Sequence, residues 1–140
     1  IIGQNYNTHI MNVANLGEIY INNSTTQIRI GGIAGGATFG NIDNGYNLGK
    51  IILDQETANE KIGSLVGIKW NSVYNKCFYL NETYSKGIGK LATSEEKEEG
   101  ITKLINKEDF PDLLEIINDD DNFKNDNNNI NNGYPILFWQ

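Results

Sequence analysis

The residues able to do chemistry are few and scattered. His9, Cys77 and Arg29 are the single histidine, cysteine and arginine of the 140-residue chain. One histidine and one cysteine make no clustered metal site and leave few routes to a nucleophilic triad. His9, standing alone, reads as a surface or loop residue, and Cys77 as an inert buried thiol. A single cysteine excludes an internal disulfide. Acid–base cleavage of a glycoside needs two carboxylates about 5–9.5 Å apart. Asp43 with Glu18 is the pair neighbouring segments would supply, with Arg29 as the one guanidinium for a uronate. This is too little to expect an enzyme. The run 119–132 is rich in Asp and Asn and invites a calcium loop, but Asn128, Ile130 and Asn132 before Gly133 put an apolar residue among the ligand positions. No metal or cofactor is expected, and the run reads as a mobile polar loop.

Aromatic side chains are the other chemical resource, because a sugar ring has an apolar face. Tyr20, Tyr46, Trp70, Tyr74, Tyr79 and Tyr84 are the candidates. Trp70, in a loop expected after Gly67, and Tyr74 are the expected stacking residues for a glycan. Core packing is the alternative for each, most of all for Tyr46 and Tyr79. Eleven basic against 18 acidic residues give a net charge of −7, which argues against a nucleic-acid surface. No stretch approaches the roughly 20 apolar residues of a membrane span. The apolar fraction of 39% suits one packed soluble domain.

Internal repetition decides what positions these residues. Ile1-Ile2-Gly3, Ile33-Ala34-Gly35 and Leu65-Val66-Gly67 recur at an offset of 32, as does the block from Ile10 to Ile19 in the block from Ile42 to Ile51. A third block, from Val73 to Tyr79, is read 31 residues after the second, with one residue lost between Gly67 and Val73. Alternating apolar positions give the period of two that places them on one face of a strand. Gly pairs such as Gly31-Gly32 and Gly35-Gly36 read as corners that need positive φ. One such copy cannot bury its apolar face, whereas stacked copies align equivalent residues and pair their strands in parallel. The expected columns are Ile10/Ile42/Val73, Ala14/Tyr46/Cys77, Leu16/Leu48/Tyr79 and Ile1/Ile33/Leu65. A further column, Asn12, Asn44 and Asn75, would form a structural amide ladder. Polar connectors at 22–27 and 54–61 are placed as loops on one side.

After Tyr84 the repeat is read as ending. Residues 86–100 read as a solvated loop. Phe110, Leu113, Leu114 and Ile117 give an apolar stripe on a helix over about 107–118, expected to cover the open end of the stack. Residues 134–140 close the chain as a strand that packs against the domain, with Pro135 near its start.

These residues resemble a known group. Ile30-Gly-Gly-Ile-Ala-Gly35 and Ile62-Gly-Ser-Leu-Val-Gly67 are similar to the GLUG-type repeats of bacterial surface and secreted proteins. The segment from Asn75 to Leu80, then Gly87-Ile88-Gly89, resembles the terminal repeat of such arrays. Phe110 to Asn118 and Asn131 to Gln140 resemble the closing segment after it. The resemblance implies a mainly β fold, a short right-handed parallel β-helix of about three coils (about 1–29, 30–61 and 62–85) with a C-terminal capping segment over 86–140. It also implies an extracellular or cell-surface setting in a bacterium, Gram-positive by expectation. Opening on Ile-Ile-Gly in mid-pattern, the chain reads as a piece of something longer. The expected function is a non-enzymatic spacer or adhesin-like module. Its partner would be a host or cell-wall glycan or protein, with no nucleic acid. The alternatives are a carbohydrate-binding module and, more remotely, a fragment of a polysaccharide-degrading enzyme.

Overall fold

A computed structural model describes residues 2–22, 28–54, 61–104, 114 and 122–140. They are mainly β, with parallel sheets. The first copy supplies β1 (Ile2–Tyr6), β2 (His9–Asn15) and β3 (Ile19–Ile21). The second supplies β4 (Ile30–Gly31), β5 (Ala34–Thr38), β6 (Asn41–Asn47) and β7 (Ile51–Leu53). The third supplies β8 (Ile62–Gly63), β9 (Val66–Trp70) and β10 (Val73–Leu80). After them come β11 (Ile88–Leu91), β12 (Ile101–Leu104), β13 (Phe123–Lys124) and β14 (Ile136–Leu137).

Through β12, every described strand pairs in parallel with its counterpart in an adjacent copy. One sheet runs β1-β5-β9-β11, a second β2-β6-β10-β12, and two short ones pair β3 with β7 and β4 with β8. The register is 32 residues throughout the three copies: Ile2 meets Ala34 and Ala34 meets Val66, while Ile10 meets Ile42 and Ile42 meets Tyr74. Core residues from the two large sheets and from the bends leading into them, among them Ile33, Ala37, Ile42, Leu65, Tyr74, Cys77 and Ile88, meet in one cluster. Ile21, Ile51 and Ile62 form a smaller one at the short sheets.

The third copy differs from the sequence reading. No residue is lost before Val73, so the 31-residue offset is wrong by one, and a one-residue slip exchanges the two faces of a strand. The columns are Ile10/Ile42/Tyr74, Val13/Gly45/Cys77 and Ala14/Tyr46/Phe78. Burial shows why: Tyr74 is 5% exposed and Val73 62%. The amide ladder is corrected with it. Asn44 Nδ2 donates to Asn12 Oδ1 at 3.2 Å, but Asn75 pairs with Asp43 and is exposed. Lys76 stands in the third position, and Asn12, Asn44 and Lys76 share a left-handed backbone with φ of 54°, 52° and 50°. That conformation breaks the alternation, so residues 10 and 13, 42 and 45, and 74 and 77 are the paired core positions.

The repeat glycines also have a different cause from the one expected. Among described glycines only Gly100 and Gly133 have positive φ. Gly35 and Gly67 are needed for close approach: a Cβ would lie 2.7 Å from the Arg29 carbonyl oxygen at the first and 2.5 Å from the Gly35 carbonyl oxygen at the second.

Pairing continues past Tyr84. In the segment read as a loop, β11 pairs with β9, and just after it β12 pairs with β10. Leu114 is helical, while the rest of the expected helix over 107–118 lies outside the described residues, as do 23–27 and 55–60 of the connectors and Ile1 of its column. The final strand is short. β14 pairs antiparallel with β13, and Phe138 and Trp139 are 66% and 76% exposed instead of packed. Phe123, Tyr134, Leu137 and Leu114 instead cover Tyr46, Phe78 and Leu80 on the face of the second sheet opposite Cys77 and Tyr79. Tyr46 is therefore buried under the C-terminal segment: its hydroxyl donates to the Pro135 carbonyl and its ring lies 5.7 Å from Phe123.

A buried polar chain crosses the stack. Asn15 Nδ2 donates to Asn47 Oδ1 at 2.8 Å. Asn47, 0% exposed, donates to the Ser64 carbonyl at 2.8 Å and to the Gly49 carbonyl at 3.1 Å. Ser64 and Thr83 join through their hydroxyls, and Thr83 donates to the Leu80 carbonyl at 2.6 Å. Truncating Asn47 orphans buried groups on both sides, so Asn47→Ala should lower stability by about 2–3 kcal/mol in urea unfolding. Asn75→Ala should stay within about 0.5 kcal/mol of the parent. Comparable losses for the two would contradict the 32-residue register of the third copy.

Candidate functional site

The sheet β1-β5-β9-β11 carries an exposed aromatic row. Tyr6, Phe39 and Trp70 are 62%, 46% and 51% exposed. Tyr6 and Phe39 meet edge to face with centroids 6.1 Å apart, and Phe39 and Trp70 lie 6.0 Å apart, tilted by 35°. The fold positions them through the register, because Tyr6, Thr38 and Trp70 are partners across three adjacent strands. Phe39 follows Thr38 in a left-handed conformation with φ of 52°. The residues one repeat before and after it, Asn7 and Asn71, have φ of 49° and are the type that tolerates it. A bulky side chain there is an energetic outlier.

Beside the row lies a groove of about 430 Å³ bordered by Tyr6, Trp70, Gln4, Thr38, Ile68 and the cations Arg29, Lys61 and Lys90. Its floor follows another register line, in which Gln4, Gly36, Ile68 and Lys90 are partners. Gly36 lies on this line between Gln4 and Ile68, two of the lining residues. A Cβ there would touch only side-chain atoms, Ile68 at 3.4 Å and Arg29 and Gln4 at 3.9 Å. No Asp or Glu is among the described residues lining the groove. This placement puts Trp70 at a surface suited to stacking.

The other expected residues fall elsewhere. Tyr74 is core, and its hydroxyl has no hydrogen-bond partner among the described residues. At 5% exposure Tyr74 presents no ring face at the surface, and burial, first of all, raises its pKa above that of a free phenol. His9 is not alone: its Nε2 lies 2.5 Å from Asp43 Oδ2 in a half-exposed pair. No contact joins Asp43 with Glu18 among the interactions of the described residues. Cys77 donates to the Ile42 carbonyl at 3.2 Å, and burial pushes its thiol up to about 12. In the Asp/Asn-rich segment, Asp126 is occupied by backbone N–H groups, from Ile130 at 2.8 Å, Asn131 at 2.6 Å and Gly133 at 3.0 Å. Among described residues, no three His, Cys, Asp or Glu side chains gather to hold a metal. No described helix is long and apolar enough to cross a membrane.

Sequence reasoning missed Tyr6 and Phe39. A signal existed, since Tyr6 and Trp70 stand two repeats apart, but Phe39 is displaced by one and was hidden. The segment read as a charged loop also supplies Glu96, whose carboxylate pairs with Lys69, the two side chains being 8% and 10% exposed. Glu96 further accepts a hydrogen bond from the Asn71 backbone N–H, and Lys69 lies 5.8 Å from the Tyr74 ring centroid. A cavity of about 510 Å³ opens beside this pair.

The chain matches no protein-family model, no curated protein and no solved structure.

The ion pair makes stability depend on pH. Burial alone would raise the Glu96 carboxyl. The hydrogen bonds from Lys69 and the Asn71 N–H, with the Lys69 charge, outweigh it and hold the group below the usual range. Because the folded value lies under the unfolded one, about 4.3, the contribution is complete above that pH and is lost as pH falls through the folded value. Unfolding free energies measured from pH 7 down to pH 3 should show this acid loss, and Glu96→Gln should flatten part of it. An unchanged acid slope in Glu96→Gln would show that the pair is not coupled to folding.

Proposed function

We propose that the chain is a short right-handed parallel β-helix of about three coils with a C-terminal capping segment. In this reading it serves as a non-enzymatic structural and interaction module within a larger bacterial cell-surface or secreted protein. The observation that carries the reading is the constant 32-residue register, kept on four separate strand positions. Each copy returns to lie beside the one before, which gives a rod that lengthens by addition and presents continuous faces to partners. Right-handedness is what parallel crossovers adopt almost without exception. The GLUG-like Ile30–Gly35 and Ile62–Gly67 segments support the same reading, and they are the basis for placing the protein outside the cell.

A second reading, a carbohydrate-binding module, is favoured by one observation: three aromatic side chains are exposed in a row along one sheet. Fold alone does not confer activity.

Two measurements test the proposal. Antibody raised against the chain should label intact, unpermeabilised cells of the producing bacterium or its culture medium. The purified chain, incubated with acidic and neutral polysaccharides, should release no reducing ends above the level of a buffer control. Labelling only after lysis would overturn the surface placement, and steady release of reducing ends would overturn the non-enzymatic role.

A further inference from the structure

We infer that the groove between the aromatic row and Arg29 binds an anionic polysaccharide whose sugar rings bear carboxylates. The inference treats the parallel stack as a scaffold for partners, and it does not depend on where in or outside the cell the protein resides.

Three observations converge on this occupant. The first is the row itself: Tyr6, Phe39 and Trp70 expose ring surface across three strands, about 10 Å of sheet at ordinary strand spacing. A linear chain of rings, each with an apolar face and a polar edge, fits a stepped platform of this length. The second is charge. The chain carries a net charge of −7, yet its one arginine and two of its lysines converge on a groove with no acidic residue among the described lining. Arg29 has no carboxylate partner in the ion pairs of the described residues, and its planar fork suits a carboxylate. A carboxylate on a sugar stacked along the row would complement the Arg29 guanidinium, which a neutral glycan cannot do. The third is Phe39. Its left-handed backbone suits the Asn that occupies the equivalent position in the copies on either side. An aromatic residue held at such a cost, and half exposed between two other rings, points to use in binding. A single-stranded nucleic acid also stacks on aromatic side chains beside cations. The groove offers few cations for the run of phosphates that such binding neutralises, and a nucleic acid is the competing outcome of the test.

Binding of polygalacturonate, alginate and hyaluronan oligosaccharides would be followed by Trp fluorescence and calorimetry, with fully methyl-esterified polygalacturonate and oligo(dT) as controls. At least one of the three acidic probes should bind, about tenfold tighter than the esterified polymer, with affinity falling between 50 and 200 mM salt as expected for a charge-assisted contact. Phe39→Asn should weaken binding about tenfold while raising the melting temperature, which a purely structural role for the ring would not produce. Gly36→Leu, whose Cβ would meet side chains of the groove and not backbone, should abolish binding with folding retained, and Tyr74→Phe should bind as the parent. No binding of any acidic probe at millimolar concentration would overturn the inference. So would equal binding of the esterified polymer or of oligo(dT), or full binding by Phe39→Asn. Each of these failures would leave the structural module proposed above standing, because the variants' melting curves report on the stack independently.

Discussion

The hydrogen bond between a strand and its counterpart one repeat away is the constraint on which the rest depends. Through β12, no described strand is paired with its sequence neighbour, so the ladder hydrogen bonds of one copy are made with another. Side chains of equivalent positions are thereby forced into lines, and a single residue type placed badly is repeated or contradicted in the next layer. The core follows as a consequence. Ile33 and Leu65 lie in register and face Ile42 and Tyr74 across the interior, and each layer is closed by the layers beside it. Because every stabilising pair is non-local, loop closure precedes reward, and folding is expected to be slow for a chain of this length.

Polar groups inside the stack are handled by the same repetition. Asn15 and Asn47 turn the chain at equivalent corners, and the amide of one satisfies the amide of the next. Where the third copy offers Tyr79 in that register, Ser64 and Thr83 take over the hydrogen bonds. At the far side of the stack Lys69 and Glu96 solve a related problem. A lysine in the row of Ala37 would be a buried charge, and the segment after β11 returns a carboxylate to it. Removing one partner from such a pair is far more damaging than never having had it.

How much of this was legible in the sequence differs by element. The 32-residue offset between the first two copies, the parallel stacking and the inward placement of Ile10, Ile42 and Cys77 were readable from periodicity alone. The third copy was misaligned because Asn75 offered an attractive match to Asn44, whereas the true equivalent, Lys76, has nothing in common with asparagine except its backbone angle. Strands β11 and β12 were hidden because their partners lie 22 and 24 residues back, off the main period. Trp70 was found as an exposed ring, but Tyr74 was misplaced by the same one-residue slip. The groove was invisible, since it depends on Arg29 arriving from a different segment.

The left-handed residues at 7 and 12 have one more effect. Strands β1 and β2 are the outer strands of their sheets, and a flat outer strand would template any extended peptide that met it. Asn12 interrupts β2 midway and Asn7 ends β1 with a kink. A generic extended segment cannot zip along such a rim, because its own backbone lacks the matching bend. A strand that repeats the same kinks at the same interval is the one that fits, as β5 and β6 do beside β1 and β2, so each layer selects its neighbour by backbone angle.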